Sequence, residues 1–122
     1  MGLDMYAYRA SQEKADETIE LAYWRKHPNL HGWMEKLWEE KGRPGLDPND
    51  EYQMFNGVEL ELTWEDVDRL EKDIEAGNLP YTEGFFFGKD SDDYYREQDL
   101  EFCKNAKADL FLFQRVFYNS SW

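Results

Sequence analysis

The chain has 122 residues, with 14 lysines and arginines against 27 aspartates and glutamates, for a formal net charge of -13. That length suits one domain covering residues 1–122, and so negative a charge argues against intrinsic affinity for nucleic-acid backbone or anionic lipid, where Lys and Arg must neutralise phosphate. Aromatic residues make up 17% of the chain, enough bulky rings to offset chain entropy by burial, so the composition is that of a folded domain and not of a disordered one.

A single cysteine, Cys103, excludes an intrachain disulfide and a Cys-based zinc site within one chain, and fits a reducing compartment. The N-terminal segment has no basic stretch followed by a long apolar one, and no run of about 18 apolar residues occurs anywhere. Tyr6 stands where N-myristoylation requires Ser or Thr. The expectation is a soluble, cytoplasmic protein.

Leu3 to Tyr8 alternates Leu, Met and Ala with Asp, Tyr and Tyr, the period-two pattern of a strand with one buried face. Polar residues from Arg9 to Asp16 read as a connection, and Thr18–Arg25, rich in β-branched and aromatic residues, reads as a second strand. Pro28 suits the first turn of a helix, where its missing N–H costs nothing. Leu30, Trp33, Met34, Leu37 and Trp38 then share one helical face, and Gly42 closes the helix. Gly42 to Gly57, with its Gly, Pro, Asp and Asn, reads as a long surface loop.

Val58–Leu62 alternates strictly and reads as a strand with Glu59 and Glu61 facing water. Thr63 and Asp66 form a variant capping box for a helix that buries Val67, Leu70 and Ile74 and stops at Gly77. Phe85-Phe86-Phe87, between two glycines, reads as a short central strand, and Lys89 to Asp93 as an acidic turn. A second long helix is expected from about Tyr94 to Phe113, with Leu100, Cys103, Ala106 and Leu110 inward, followed by a last strand from Arg115 to Trp122. These elements predict an α+β fold: a small mixed or antiparallel sheet of about four strands with helices packed on one face.

Two regions carry candidate chemistry. Arg25, Lys26, His27 and His31 bring two cations and both histidines of the chain to the start of a helix. There, free backbone N–H groups and the helix dipole favour an anion, and a histidine can act as acid or base near neutral pH. The competing role for them is structural: Tyr23 and Trp24 in a strand or core, Arg25 and Lys26 paired with acids, and His27 capping the helix.

The second region is the stretch Glu65–Glu101, with 13 acidic residues against four basic ones, which holds nine of the thirteen excess negative charges. Presented together, for example through Glu71, Glu75, Asp92 and Asp93, such charge suits docking of a basic protein surface; otherwise it is a solubilising helix face.

Other chemistry has little support. Asp47–Glu51 begins like a calcium-binding loop, but Tyr52 stands where Gly is needed and Val58 where a bidentate Glu is needed. The second acidic run, Asp90–Asp93, lacks the same elements, and no zinc-binding His pattern is present. Neither a phosphate-cradling glycine motif nor a nucleophile elbow occurs, and Cys103 falls on an inward helix face. No cofactor and no metal are expected.

The runs Gly2-Leu3-Asp4-Met5-Tyr6, Tyr23-Trp24-Arg25-Lys26-His27, His31-Gly32-Trp33-Met34, Gly84-Phe85-Phe86-Phe87-Gly88 and Tyr118-Asn119-Ser120-Ser121-Trp122, with the strand Asn56–Leu60, resemble a family of small phage and prophage proteins. The resemblance spans nearly the whole chain. It implies an origin and, because that family has no established activity, no catalytic residues. Some of its members carry a phosphoglycerate kinase label, which this chain does not support, being far shorter than that two-domain enzyme and without a nucleotide motif.

The functional expectation is a phage-type accessory protein, in the host cytoplasm, that binds a host or phage protein through its acidic stretch or an exposed aromatic patch. The alternative is a binding protein or enzyme for a small anion, using Arg25, Lys26, His27 and His31.

Overall fold

A computed structural model describes residues 3–11, 17–45, 54–80 and 92–121, with side chains from residue 95 onward in the last segment. The expected strand at Phe85–Phe87, the centre of the Gly42–Gly57 loop and residues Lys89–Ser91 lie outside the described residues.

The described elements run β1 (Asp4–Ala10), β2 (Thr18–Arg25), α1 (Pro28–Glu40), β3 (Leu60–Leu62), α2 (Trp64–Ala76), α3 (Asp92–Phe111) and β4 (Arg115–Ser121). They form an α+β fold with one four-stranded sheet in the order β2-β1-β4-β3, every neighbouring pair antiparallel. The C-terminal strand β4 thus enters between β1 and β3. Several boundaries differ from those expected, among them a helix α3 that ends at Phe111 and not at Phe113. Arg9 and Ala10 extend β1 because Val116 and Arg115 of β4 continue to pair with them. The third strand is limited to Leu60–Leu62. Asp92 and Asp93 belong to the first turn of α3 and not to an acidic turn.

Strand alternation builds the core. Leu3 just before β1, Met5 and Ala7 of β1, Trp24 of β2, Val116 and Tyr118 of β4, and Leu60 and Leu62 of β3 are all buried. The helices cover that face: α1 adds Leu30, Trp33, Met34, Leu37 and Trp38, α2 adds Val67, Leu70 and Ile74, and α3 adds Phe102, Cys103 and Ala106. Full burial of one such side chain contributes roughly 1.5–3 kcal/mol. In β2, Ala22 pairs with Ala7 but Glu20 with Tyr8, which leaves Leu21 as the extra residue of a bulge.

All three helices end in the same hydrogen-bonded turn. Arg43 N–H bonds Trp38 O after α1, Asn78 N–H bonds Asp73 O after α2, and Gln114 N–H bonds Asp109 O after α3. This closure requires one residue in the left-handed region. Gly42 (φ 85°) and Gly77 (φ 69°) supply it for α1 and α2, whereas in α3 the position is Phe113, at φ 64° and 78% exposed. A side chain there costs roughly 1–2 kcal/mol, partly offset by the larger chain entropy that Gly loses on folding. Phe113→Gly is therefore expected to stabilise the domain by about 0.5–1 kcal/mol, read as a melting temperature raised by a few degrees; an unchanged or lowered value would show that the exposed ring contributes more than its backbone costs.

Candidate functional site

The four residues of the cationic and histidine cluster do not come together. Lys26 takes φ 56° and its N–H bonds Leu3 O at 2.9 Å, so the chain turns sharply between β2 and α1. Arg25 and Lys26 are left exposed, and His27 and His31 are carried into the core. His27 stands at the N-cap position of α1, but its side chain makes no capping bond, a correction to the capping role expected of it. Its Nε2 instead meets Asp99 Oδ2 of α3 at 2.7 Å, and its ring stacks on Tyr95 with centroids 4.8 Å apart. Trp24 Nε1 donates to the other carboxylate oxygen, Oδ1, at 2.8 Å. Burial pushes the Asp99 carboxyl up, against the downward pull of the His27 and Trp24 bonds.

His31 lies one helical turn further on. Its Nδ1 bonds the Tyr118 hydroxyl at 2.8 Å, and its ring stacks against Phe55 at 5.3 Å. Burial lowers its pKa to about 4, so it is a neutral core residue at pH 7. Cys103 is also buried, and burial raises its thiol, which leaves an inert side chain and no nucleophile.

Much of the acidic stretch is committed to holding the fold together. Asp66 completes the capping box with Thr63 and pairs with Lys41, and Asp73 accepts from Trp33 Nε1 at 2.8 Å. Lys107 of α3 bridges Asp68 (2.7 Å) and Glu71 (3.0 Å) of α2. The Lys107 and Lys72 bonds hold the Asp68 carboxyl below its usual range. Of the four residues expected to contact a partner, Glu71 is thus half-buried in an interhelical ion pair, Glu75 is exposed, and the side chains of Asp92 and Asp93 lie outside the described residues. Glu65, Glu97 and Glu101 are exposed as well, without an ion-pair partner among the described residues.

The opposite face of the sheet is covered by no helix among the described residues. Strand alternation places Asp4, Tyr6 and Tyr8 of β1 there, with Glu20, Tyr23 and Arg25 of β2, Phe117 and Asn119 of β4, and Glu61 of β3. Tyr6 and Tyr23 are 37% and 41% exposed, with ring centroids 5.2 Å apart, while Tyr8 stacks on Phe117 at 5.5 Å. Two depressions lie on this face. One, of about 590 Å³, is lined in part by Lys41, Glu59, Glu61, Arg115 and Phe117; the other, of about 420 Å³, by Tyr6, Tyr8, Thr18, Glu20, Asn119 and Ser121. They meet at Gly57, beside the hydrogen bond that Tyr8 OH donates to Glu59.

Charge on this face is paired at both ends, and among the described residues no ion pair forms in the middle. Arg115 binds both oxygens of Glu61, at 3.0 and 2.9 Å, and holds that carboxyl low. Arg25 stands across from Asp4, which also accepts from Tyr23 OH at 2.7 Å. Between these ends, Glu20 lies directly across from Tyr8 and Glu59 accepts from it, and neither has an ion-pair partner among the described residues. The signal for this site was present in the sequence as the outward half of each alternating strand, Tyr6 and Tyr8 against Phe117 and Asn119, but only strand order reveals that these halves adjoin.

Among the described residues no group of three or more His, Cys, Asp or Glu could hold a metal, and no helix is long and apolar enough to cross a membrane. Comparison of the chain with protein-family models, curated proteins and solved structures finds no match.

Proposed function

We propose that this chain is a phage-type accessory protein that acts by binding a host or phage protein with a basic surface. The observation that carries the reading is the state of its carboxylates: after the structural pairs of α2 and α3 are accounted for, Glu65, Glu75, Glu97 and Glu101 remain exposed and in no ion pair among the described residues. On a chain with a net charge of -13, they give a field that attracts a cationic partner and repels nucleic acid. The phage and prophage resemblance supports the origin. The anion-binding alternative has less to stand on, because His27 and His31 are core residues and only Arg25 and Lys26 are left at the surface.

The test is capture of a partner from host lysate on the immobilised chain. Recovery is expected at low salt, with loss at about 0.5 M salt, where screening reaches within a few ångströms. Loss is also expected when Glu65, Glu75, Glu97 and Glu101 are all changed to Lys, a set that spares the Lys107 bridge. A partner retained through both treatments would sink the acidic-surface reading.

A further inference from the structure

The open sheet face carries a more specific recognition element than a diffuse negative field. Its centre combines an exposed tyrosine ring, Tyr6, with two carboxylates, Glu20 and Glu59, that flank Tyr8 on either side and have no ion-pair partner among the described residues. Glu59 lines the adjoining depression, and Tyr6, Tyr8 and Glu20 line a groove of about 420 Å³, within the size range of small-ligand clefts. Its other walls are neutral hydrogen-bonding groups: Thr18, Asn119 and Ser121.

Each component excludes a class of occupant. Carboxylates at the centre repel phosphates, carboxylates and nucleotides. An apolar side chain in the groove would leave the Glu20 carboxylate desolvated without a partner, at a cost. A cation is favoured three times over: by the negative face of the Tyr6 ring, by the Glu20 carboxylate, and by the absence, among the described residues, of a free cation at the centre of the face, since Arg115 is held by Glu61 and Arg25 lies at the Asp4 end. Between the two cationic side chains, the planar guanidinium can stack on a tyrosine and bind a carboxylate through two N–H groups together, whereas an ammonium cannot.

We infer that this groove seats an arginine side chain of the basic partner, stacked on Tyr6 and hydrogen-bonded to Glu20, with Glu59 supplying the charge on the far side of Tyr8. The inference rests on the proposed function for the source of the arginine and not for the chemistry of the groove.

The full chain is titrated calorimetrically at 0.15 M salt with four probes: a Gly/Ser peptide carrying three arginines, the same peptide with three lysines, the same peptide with three citrullines, and maltohexaose. Citrulline keeps the shape of arginine and removes its charge. The arginine peptide is expected to bind about fivefold more tightly than the lysine peptide, with no heat from the other two probes. Tyr6→Leu and Glu20→Gln should each weaken the arginine peptide about fivefold, while Tyr6→Phe and the helix variants Glu75→Gln and Glu97→Gln stay within about twofold. Melting temperatures of these surface variants report that they fold.

Equal affinity for arginine and lysine peptides, with no effect of Tyr6→Leu or Glu20→Gln but losses in the helix variants, would overturn the groove while leaving the basic-partner reading intact. The converse, Tyr6-dependent arginine binding with no salt-sensitive partner in lysate, would uphold the groove and count against that reading. Binding of maltohexaose in place of the arginine peptide, or of no probe at all, overturns the inference.

Discussion

Replacing Asp99 with alanine is expected to cost about 3–5 kcal/mol of stability, the loss found when one partner of a buried polar pair is removed. Asp99 is 1% exposed and its two carboxylate oxygens meet Trp24 Nε1 of β2 and His27 Nε2 at the start of α1. Alanine would leave an indole N–H and an imidazole nitrogen facing a void in the core, each carrying the desolvation cost of a buried polar group. It would also free the three elements that meet there, at a point where Tyr95 OH further ties α3 to Arg25 O at 2.6 Å. Domains of this size are commonly stable by only about 5–15 kcal/mol, so the variant should unfold at a much lower urea concentration, with an unchanged slope if the transition stays two-state. Asp99→Asn keeps the volume and an acceptor for Trp24, and is expected to cost about half as much. A loss below about 1 kcal/mol for the alanine variant would show that the core relaxes around the gap.

The Asp99 cluster also shows where sequence reading reaches its limit. Periodicity is a local property, and it located the elements whose apolar residues recur at one spacing: β1 through Met5 and Ala7 with Leu3 just ahead of it, α1 through Leu30 to Trp38, and α2 with its Thr63–Asp66 box, which forms in both directions. Contacts between residues far apart in the chain leave no such mark. His27 and Asp99 are separated by 72 positions, so the same histidine that reads as a capping or catalytic group beside Arg25 and Lys26 is, in space, the partner of a carboxylate in another helix. Asp99 itself read as one more charge in an acidic stretch; only the packing of α3 against β2 turns it inward. The tyrosines of the open face follow the same rule. Tyr6 and Tyr8 alternate outward within one strand, but Asn119 and Phe117 join them only because β4 crosses the fold to pair with β1.

His31 offers the second large effect, and it appears as a dependence on pH. Its pKa is lowered from 6.5 to about 4 by burial, so the unfolded chain accepts a proton at a pH where the folded chain does not. The unfolded state then binds more protons, and stability falls as the solution becomes more acidic. The contribution of His31 is fully present above pH 6.5 and is lost as pH falls toward about 4, over a range worth about 3 kcal/mol. Glu61 and Asp68, held low by Arg115 and by Lys107 with Lys72, keep their contributions until more acidic solution and so stay outside that window. Asp99 acts in the opposite sense, since a carboxyl raised by burial favours the folded state as it takes up a proton. Comparison with His31→Gln removes that background. The glutamine variant is expected to be less stable by about 1–2 kcal/mol at pH 7.5, because it fits poorly against Phe55 and weakens the bond to the Tyr118 hydroxyl. Between pH 6.5 and 4.5 it should lose about 2–3 kcal/mol less than the wild-type chain in urea unfolding, so that the two curves converge or cross. Parallel curves through that range would mean that His31 takes up its proton in the folded core without opposition and that another group carries the acid sensitivity.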